Sequence, residues 1–228
     1  MPLLAEGIWT TLWLVGISLL CGLVLAVPFG VILASAAQGI TLKIAKALVS
    51  AFSYVFRGTP MLVQLYIIYY GVGLQLGAVE GIRESVLWPI LRQSWPWALL
   101  AFTLNTAAYT SEIVRGAIET TPKGEVEAAW AMGMSKGLIF RRIIMPSAIE
   151  RALPAYGNEV IFMLHGSALA SVVTLLDITG VARTLYAKYY EPFTPFIVAA
   201  VIYLLITLLI TLLFRWLENR YTRHLIKH

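Results

Sequence analysis

Residues 127–146 read EAAWAMGMSKGLIFRRIIMP, from Glu127 to Pro146. Helix-forming and helix-ending residues alternate here in a way that predicts a short amphipathic helical hairpin. Just upstream, Thr121 is a candidate N-cap, and Pro122 suits the first helical position, where a missing N–H costs nothing. Ala128, Ala129 and Ala131 leave a small-residue surface that another protein can approach closely. Gly133 is free to take the left-handed conformation that ends a helix. Ser135 is then a candidate cap for a second helix, which Pro146 is expected to stop. The same spacing of Ala-Ala, Gly and Arg-Arg also fits a soluble helix-turn-helix, so the flanks must decide.

The flanks are apolar. The chain is 59% hydrophobic and only 13% charged, with a mean hydropathy of +0.79; a soluble domain carries about 25% charged residues. Five stretches have no charge at all: 36 residues from Gly7 to Leu42, 22 from Gly58 to Val79, 19 from Gln93 to Ser111, 17 from Val160 to Leu176 and 23 from Pro192 to Phe214. A spanning helix takes roughly 20 apolar residues. In lipid the backbone must satisfy itself, which leaves helices as the solution for runs this continuous. The reading is a single all-α transmembrane domain over residues 1–228, with five spans near 8–37, 58–79, 93–115, 157–176 and 193–214 and a loop over 120–152. The first run predicts one long, tilted helix. It does not read as a signal peptide, because Met1 to Glu6 holds no basic residue and the apolar run far exceeds the ~7–15 residues of a signal's core.

Lys and Arg set the orientation. With residues 120–152 on the cytoplasmic side, the inside carries Lys43, Lys46, Arg57, Arg115, Lys123, Lys136, Arg141, Arg142, Arg151, Arg215, Arg220, Arg223 and Lys227. The outside carries Arg83, Arg92, Arg183 and Lys188. An N-out, C-in arrangement is expected. The net charge of +5 is accounted for by topology, and basic residues split among three loops make no nucleic-acid surface. Cys21 is the only cysteine, which excludes an intramolecular disulfide and a cysteine-type zinc site. Trp88, Trp95 and Trp97 cluster at the expected outer end of the third span, where amphipathic rings suit the interface.

Placed between such spans, Glu127-Ala128-Ala129, Gly133, Ile143 and Met145-Pro146 resemble the EAA loop of bacterial ABC importer permeases, with Met145 in place of the usual Leu. The resemblance extends along much of the chain. Arg57-Gly58-Thr59-Pro60, Leu104 to Glu112, Arg115-Gly116-Ala117-Ile118, Leu153 to Glu159 and Glu191-Pro192-Phe193 look like segments of the polar amino-acid permeases. Within that family the chain is similar to the M-type subunits of histidine and lysine/arginine/ornithine importers and of arginine and opine importers. The resemblance implies a type I ABC importer fold in the bacterial inner membrane. It implies a second permease subunit, a Q-type homologue forming a heterodimer, together with two copies of an ABC ATPase and a periplasmic amino-acid-binding protein. It assigns Glu127, Ala128, Ala129, Gly133, Ile143 and Pro146 to the coupling helices that dock on the ATPase. The expected cargo is a basic amino acid or opine. No G-x-x-x-x-G-K-[ST] loop is present, so ATP and Mg belong to the partner ATPase, and no cofactor is expected on this chain.

Six residues are candidates for contact with the cargo: Asn105, Tyr109, Glu112, Glu159, Gly166 and Ser167. Glu112 sits near the inner end of the third span, where a carboxylate is costly and faces a polar path or a partner charge. It reads either as a ligand for an ammonium or guanidinium, or as an ion pair with Arg115 one turn on. Asn105 and Tyr109 lie one or two turns earlier, to line a path with it or to bond between helices. Glu159 is expected at the start of the fourth span. It reads as a cavity acid, which is its place in the similar permeases, or as an N-terminal acid favoured by the helix dipole. His165-Gly166 stands where several homodimeric relatives of that family have Lys-Asp. The missing acid suits a heterodimer whose second subunit completes the pocket. Gly166 and Ser167 then contribute hydrogen bonds or simply close helix packing.

Two other chemistries are set aside. His165 and Ser167 are two residues apart, so on a helix they point roughly 200° apart and cannot form a nucleophile–base pair. His224 and His228 have metal-binding spacing but no third ligand nearby. A self-sufficient secondary transporter or channel is the rival reading. It would show repeated halves with broken helices, and no such repeat is visible.

Overall fold

A computed structural model describes residues 2–36 and 39–221. His224 and His228 lie outside the described residues, as do Arg223 and Lys227. The described chain is helical, with no strand. In chain order the helices are α1 (Pro2–Ala34), α2 (Ile40–Gly58), α3 (Met61–Leu76), the short α4 (Trp88–Leu91), α5 (Trp95–Glu119), α6 (Lys123–Ala131), α7 (Lys136–Val173), α8 (Ile178–Tyr189) and α9 (Phe193–Tyr221).

The packing centres on α1 and α5, which run along one another. Down one face of α1, Ser18, Gly22, Ala26 and Gly30 recur every fourth residue, and all are buried. Small residues at this spacing let two helix backbones approach closely, the commonest device for packing helices in lipid. A Cβ on Gly22 would strike the methyl of Thr106, and one on Gly30 would stand 2.6 Å from Val114 and 2.8 Å from the Ser111 carbonyl. Around this pair, Leu14 from α1, Leu65 from α3, Phe102 from α5 and Met163 and Leu164 from α7 form a fully buried core. α9 presents a largely exposed apolar surface, including Leu204, Leu205, Leu208, Leu209, Leu212 and Leu213. α1 and α9 are each long and apolar enough to cross a membrane, and α7 with α8 forms a third apolar element bent by 44°.

Several boundaries differ from the sequence reading. The uncharged run from Gly7 to Leu42 is not one helix. α1 ends at Ala34, and α2 starts at Ile40 after Gly39, whose φ of 155° is a conformation side chains rarely adopt. Lys43, Lys46 and Arg57 therefore lie on a 19-residue amphipathic helix and not in a simple connection. Lys46 bonds back to the Ser35 carbonyl, tying the new helix to the end of α1.

The hairpin is present, with corrected ends. Thr121 is not the N-cap of α6: Pro122 occupies that position, and the Thr121 hydroxyl instead donates to the Ile118 carbonyl at 2.8 Å. Gly133 has φ 76°. Its N–H reaches the Trp130 carbonyl at 2.9 Å and that of Met134 reaches Ala129 at 3.1 Å, the paired bonds of a Schellman ending. Ser135 holds the N-cap position of α7 with an extended backbone, but its side chain makes no capping bond. Pro146 does not stop the second helix. A wider π turn over Phe140–Ile144 precedes it, and the helix then runs on through Met145–Gly166. The π turn supplies the local adjustment that a proline needs, since it lacks an N–H and crowds the carbonyl four residues back. Consequently the helix that carries the fourth apolar segment starts well before residue 157. The hairpin's second arm and that segment are one rod.

Candidate functional site

A cavity of about 740 Å³ opens between the end of α2, the start of α3, the middle of α5 and the middle of α7. The Arg57-Gly58-Thr59-Pro60 junction forms one wall, because Pro60 cannot continue α2 and the chain turns to start α3. Gln64 braces that junction: its amide donates to the carbonyls of Phe56 at 2.7 Å and Thr59 at 3.0 Å, and to the Thr59 hydroxyl at 2.8 Å. Asn105 on α5 donates in turn to the Gln64 side-chain oxygen at 2.8 Å. The Tyr109 hydroxyl donates to the Arg57 carbonyl at 3.4 Å, and the guanidinium of Arg57 lies 5.7 Å from the Tyr109 ring centre. Asn105, Tyr109 and Arg57 thus form one polar wall, locked from behind by Gln64.

Glu159 stands across from it on α7 and lines the same cavity. It is only 7% exposed and accepts a hydrogen bond of 2.8 Å from the Thr106 hydroxyl of α5. Because α7 begins at Lys136, Glu159 is many turns from the helix N-terminus, and the dipole explanation for its charge is removed. Among the described residues it has no ion-pair partner.

Glu112 is differently placed. Its carboxylate accepts from Arg115 Nε at 2.7 Å and Ser53 Oγ at 3.0 Å, and lies 3.3 Å from Arg57 Nη1. Arg115 also binds Glu119 at 2.7 Å. Two acids and two arginines make a neutral cluster that pins α2 to α5, and Glu112 is not among the cavity-lining residues. Of the remaining candidates, Gly166 lies against Met61, whose sulfur would be 2.9 Å from a Cβ there. Ser167 is fully buried with its hydroxyl on the Leu164 carbonyl at 2.7 Å. Neither reaches the cavity. His165 is exposed and 3.1 Å from the Thr207 hydroxyl on α9.

Arg57, Asn158 and Phe162 also line the cavity, and Gln64 and Thr106 support it. Sequence reasoning gave none of them a site role. Gln64 and Thr106 carried a signal, since a polar side chain within an apolar run needs a partner.

At the hairpin, Glu127, Ala128, Gly133 and Pro146 are exposed, Ile143 is half-buried and Ala129 is buried. Trp130 and Met132 project apolar surface beside them, at 47% and 81% exposure, and the sequence reading had overlooked both. Arg151 ties the second arm to the end of α5, donating to the Ala117 carbonyl at 2.9 Å and to the Thr121 hydroxyl at 2.7 Å, and it also bonds Ser147 on its own helix. Burial holds its pKa below the ordinary arginine value, against the pull of Glu125 and Glu150.

An all-helical membrane fold with a polar cavity among apolar helices and an exposed hairpin at one end defines a transport component. The chain belongs to the family of binding-protein-dependent transport system inner membrane components, which it matches over residues 26–223. It is 43% identical over 225 residues to the nopaline transport system permease protein NocM of Agrobacterium fabrum, covering 97% of this chain and 90% of that protein. It is 44% identical over 218 residues to the histidine/lysine/arginine/ornithine transport system permease protein HisM of Salmonella typhimurium, covering 96% and 89%. Among solved structures, an amino acid ABC transporter crystallised with histidines matches at a TM-score of 0.82 and 32% identity, over 96% of this chain and 94% of that one. The inward-facing MetNI methionine ABC transporter matches at 0.77 and 24% identity over 97% of each chain, a likeness of fold alone.

Proposed function

We propose that this chain is the permease subunit of an ATP-driven importer of polar amino acids, with cationic ones preferred. The observation that carries the substrate charge is Glu159: an acid lining a polar cavity, with a neutral hydrogen-bond donor behind it and no ion-pair partner of its own, since the Arg57 guanidinium on the facing wall is held by Glu112. An ammonium or guanidinium cargo supplies the missing charge. Asn105 and Tyr109 line the cavity with it as neutral hydrogen-bonding groups, while Glu112 sets the position of Arg57. Gly166 and Ser167 hold the end of α7 against its neighbours.

Five spans with the N-terminus outside and the C-terminus inside fit the basic-residue asymmetry. The single domain then places residues 120–152 in the cytoplasm. There the exposed face of Glu127, Ala128 and Gly133, with Trp130 and Met132, docks on an ATPase that binds ATP and Mg. Ala129, Ile143 and Pro146 hold its shape. A second permease subunit of the Q type completes the cavity, and a periplasmic binding protein delivers cargo. A self-sufficient transporter needs no such docking surface, and family membership removes that alternative.

The test is reconstitution of the full complex with its ATPase and binding protein in nanodiscs. ATPase stimulation by cargo-loaded binding protein is expected, with arginine, ornithine or histidine more effective than glutamine. A complex stimulated by anionic amino acids instead would overturn the cationic reading.

A further inference from the structure

Among the described residues that line the polar cavity, Glu159 is the one anion and Arg57 the one cation. Arg57 stands in the last turn of α2, where the negative end of the helix dipole favours a positive charge. Its guanidinium is fixed from one side. Nη1 lies 3.3 Å from a Glu112 oxygen and 3.4 Å from Ser53 Oγ, and the Tyr109 ring centre is 5.7 Å from the guanidinium carbon. Nε and Nη2 have no hydrogen bond or ion pair to the described residues, although the side chain is 41% exposed and faces the cavity.

A guanidinium presents a planar fork of donors that matches the two oxygens of a carboxylate. Arg115, in the same cluster, serves two acids at once, with Nε on Glu112 and Nη1 on Glu119, each at 2.7 Å. Arg57 serves only Glu112. Its spare donors are therefore available to a second carboxylate, and the chain supplies none. The neighbouring cavity donors are already engaged. Asn105 gives its amide to Gln64 and to the Phe56 carbonyl, and Tyr109 gives its hydroxyl to the Arg57 carbonyl. The cluster of two arginines and two acids has no net charge, so it attracts an anion by directed bonds at contact and not by a long-range field. Glu112 also keeps Arg57 from neutralising Glu159, since no ion pair joins the two walls.

We propose that Arg57 anchors the α-carboxylate of the cargo through Nε and Nη2, while the cargo's cationic side chain lies at Glu159. The assignment rests on the transport role proposed above for this cavity. It narrows the cargo to molecules with a free carboxylate and a cationic group at opposite ends. It also gives the cargo a direction, carboxylate toward α2 and cation toward α7. Glu112 is then a positioning residue that aims the anchor.

Two analogues of arginine separate the two ends. Argininamide loses the carboxylate charge and keeps the guanidinium; citrulline does the reverse. The assay is displacement of tritiated arginine from the full complex in nanodiscs. Binding protein is left out so that its own selectivity does not enter. In the wild type each analogue should compete about ten- to hundredfold less well than arginine. Arg57→Gln should bring argininamide level with arginine and preserve the citrulline deficit. Glu159→Gln should do the converse. Arg57→Lys keeps a cation beside Glu112 and should retain part of the argininamide deficit. Argininamide that competes as well as arginine in the wild type would overturn the anchor and leave the cationic reading intact. So would an Arg57→Gln complex that loses affinity for arginine and argininamide by the same factor, which is the signature of a purely structural Arg57. Citrulline that competes as well as arginine would instead remove the cationic reading of Glu159 alone. A wild-type complex that binds no arginine would take the cavity out of transport and both assignments with it.

Discussion

Two carboxylates near the inner ends of apolar segments look alike in the sequence and have opposite surroundings in the fold. Glu112 is held by Arg115, Arg57 and Ser53, and its charge is spent within the protein. Glu159 has only the Thr106 hydroxyl, so its charge faces the cavity. Neutralising Glu159 should therefore discriminate between cargoes. Glu159→Gln keeps the shape and the acceptor for Thr106 but loses a charge-assisted bond worth about 1.5–3 kcal/mol, or roughly ten- to hundredfold in affinity. Uptake of arginine or ornithine should fall by about that factor relative to glutamine. Equal losses for both, with normal assembly, would reduce Glu159 to a packing role. Glu112→Gln should instead loosen α2 from α5 and depress all cargoes together, measured in the same uptake assay. Gly133 is the other residue whose part is set by local physics. At φ 76° a valine there costs about 1–3 kcal/mol of backbone strain or more. Gly133→Val should leave membrane insertion intact and lower cargo-stimulated ATPase activity. Normal stimulation in that variant would separate the hairpin from coupling.

Among the elements, the hairpin was legible because its signals are local: an alanine run, a glycine where φ must be positive, and flanking uncharged segments. Its ends were misplaced for equally local reasons. Thr121 had two uses for its hydroxyl and took the carbonyl behind it. Pro146 reads as a stop only if the helix before it is α throughout, and the π turn at Phe140–Ile144 removes that premise. The break at Ser35 to Gly39 was hidden because no charge marks it. The polar cavity was only half legible, since Gln64 and Thr106 take their roles from helices far away in sequence. The stripe Ser18, Gly22, Ala26, Gly30 was readable but overlooked amid hydropathy. It makes a sharp prediction. Gly30→Val sets its Cβ against the Ser111 carbonyl, backbone that cannot turn aside, as well as Val114. Overpacking of this kind costs about 1–3 kcal/mol. The variant's detergent-solubilised complex should lose thermal stability, whereas Gly16→Val, where a Cβ meets nothing within 4 Å, should not. Equal stability of the two would mean that α1 and α5 are not closely packed there.

For the whole molecule, the basic residues and the packing must agree on a direction. Arg57, Arg115 and Arg151 all sit where helices leave the apolar core on the hairpin side, and each is tied to backbone or acid there. The opposite end holds the loop with Ser85 between α3 and α5 and the tryptophans around it. Reversing the chain would put the hairpin and thirteen basic residues outside, against the bias that orients membrane proteins. The expected pattern is tested with single cysteines in a Cys21→Ala background, so that no native thiol competes. A cysteine at Ser85 should react with an impermeant reagent added to right-side-out membranes. One at Ser135 should react only in inverted vesicles. Labelling of Ser135→Cys from outside would take the hairpin away from any ATPase.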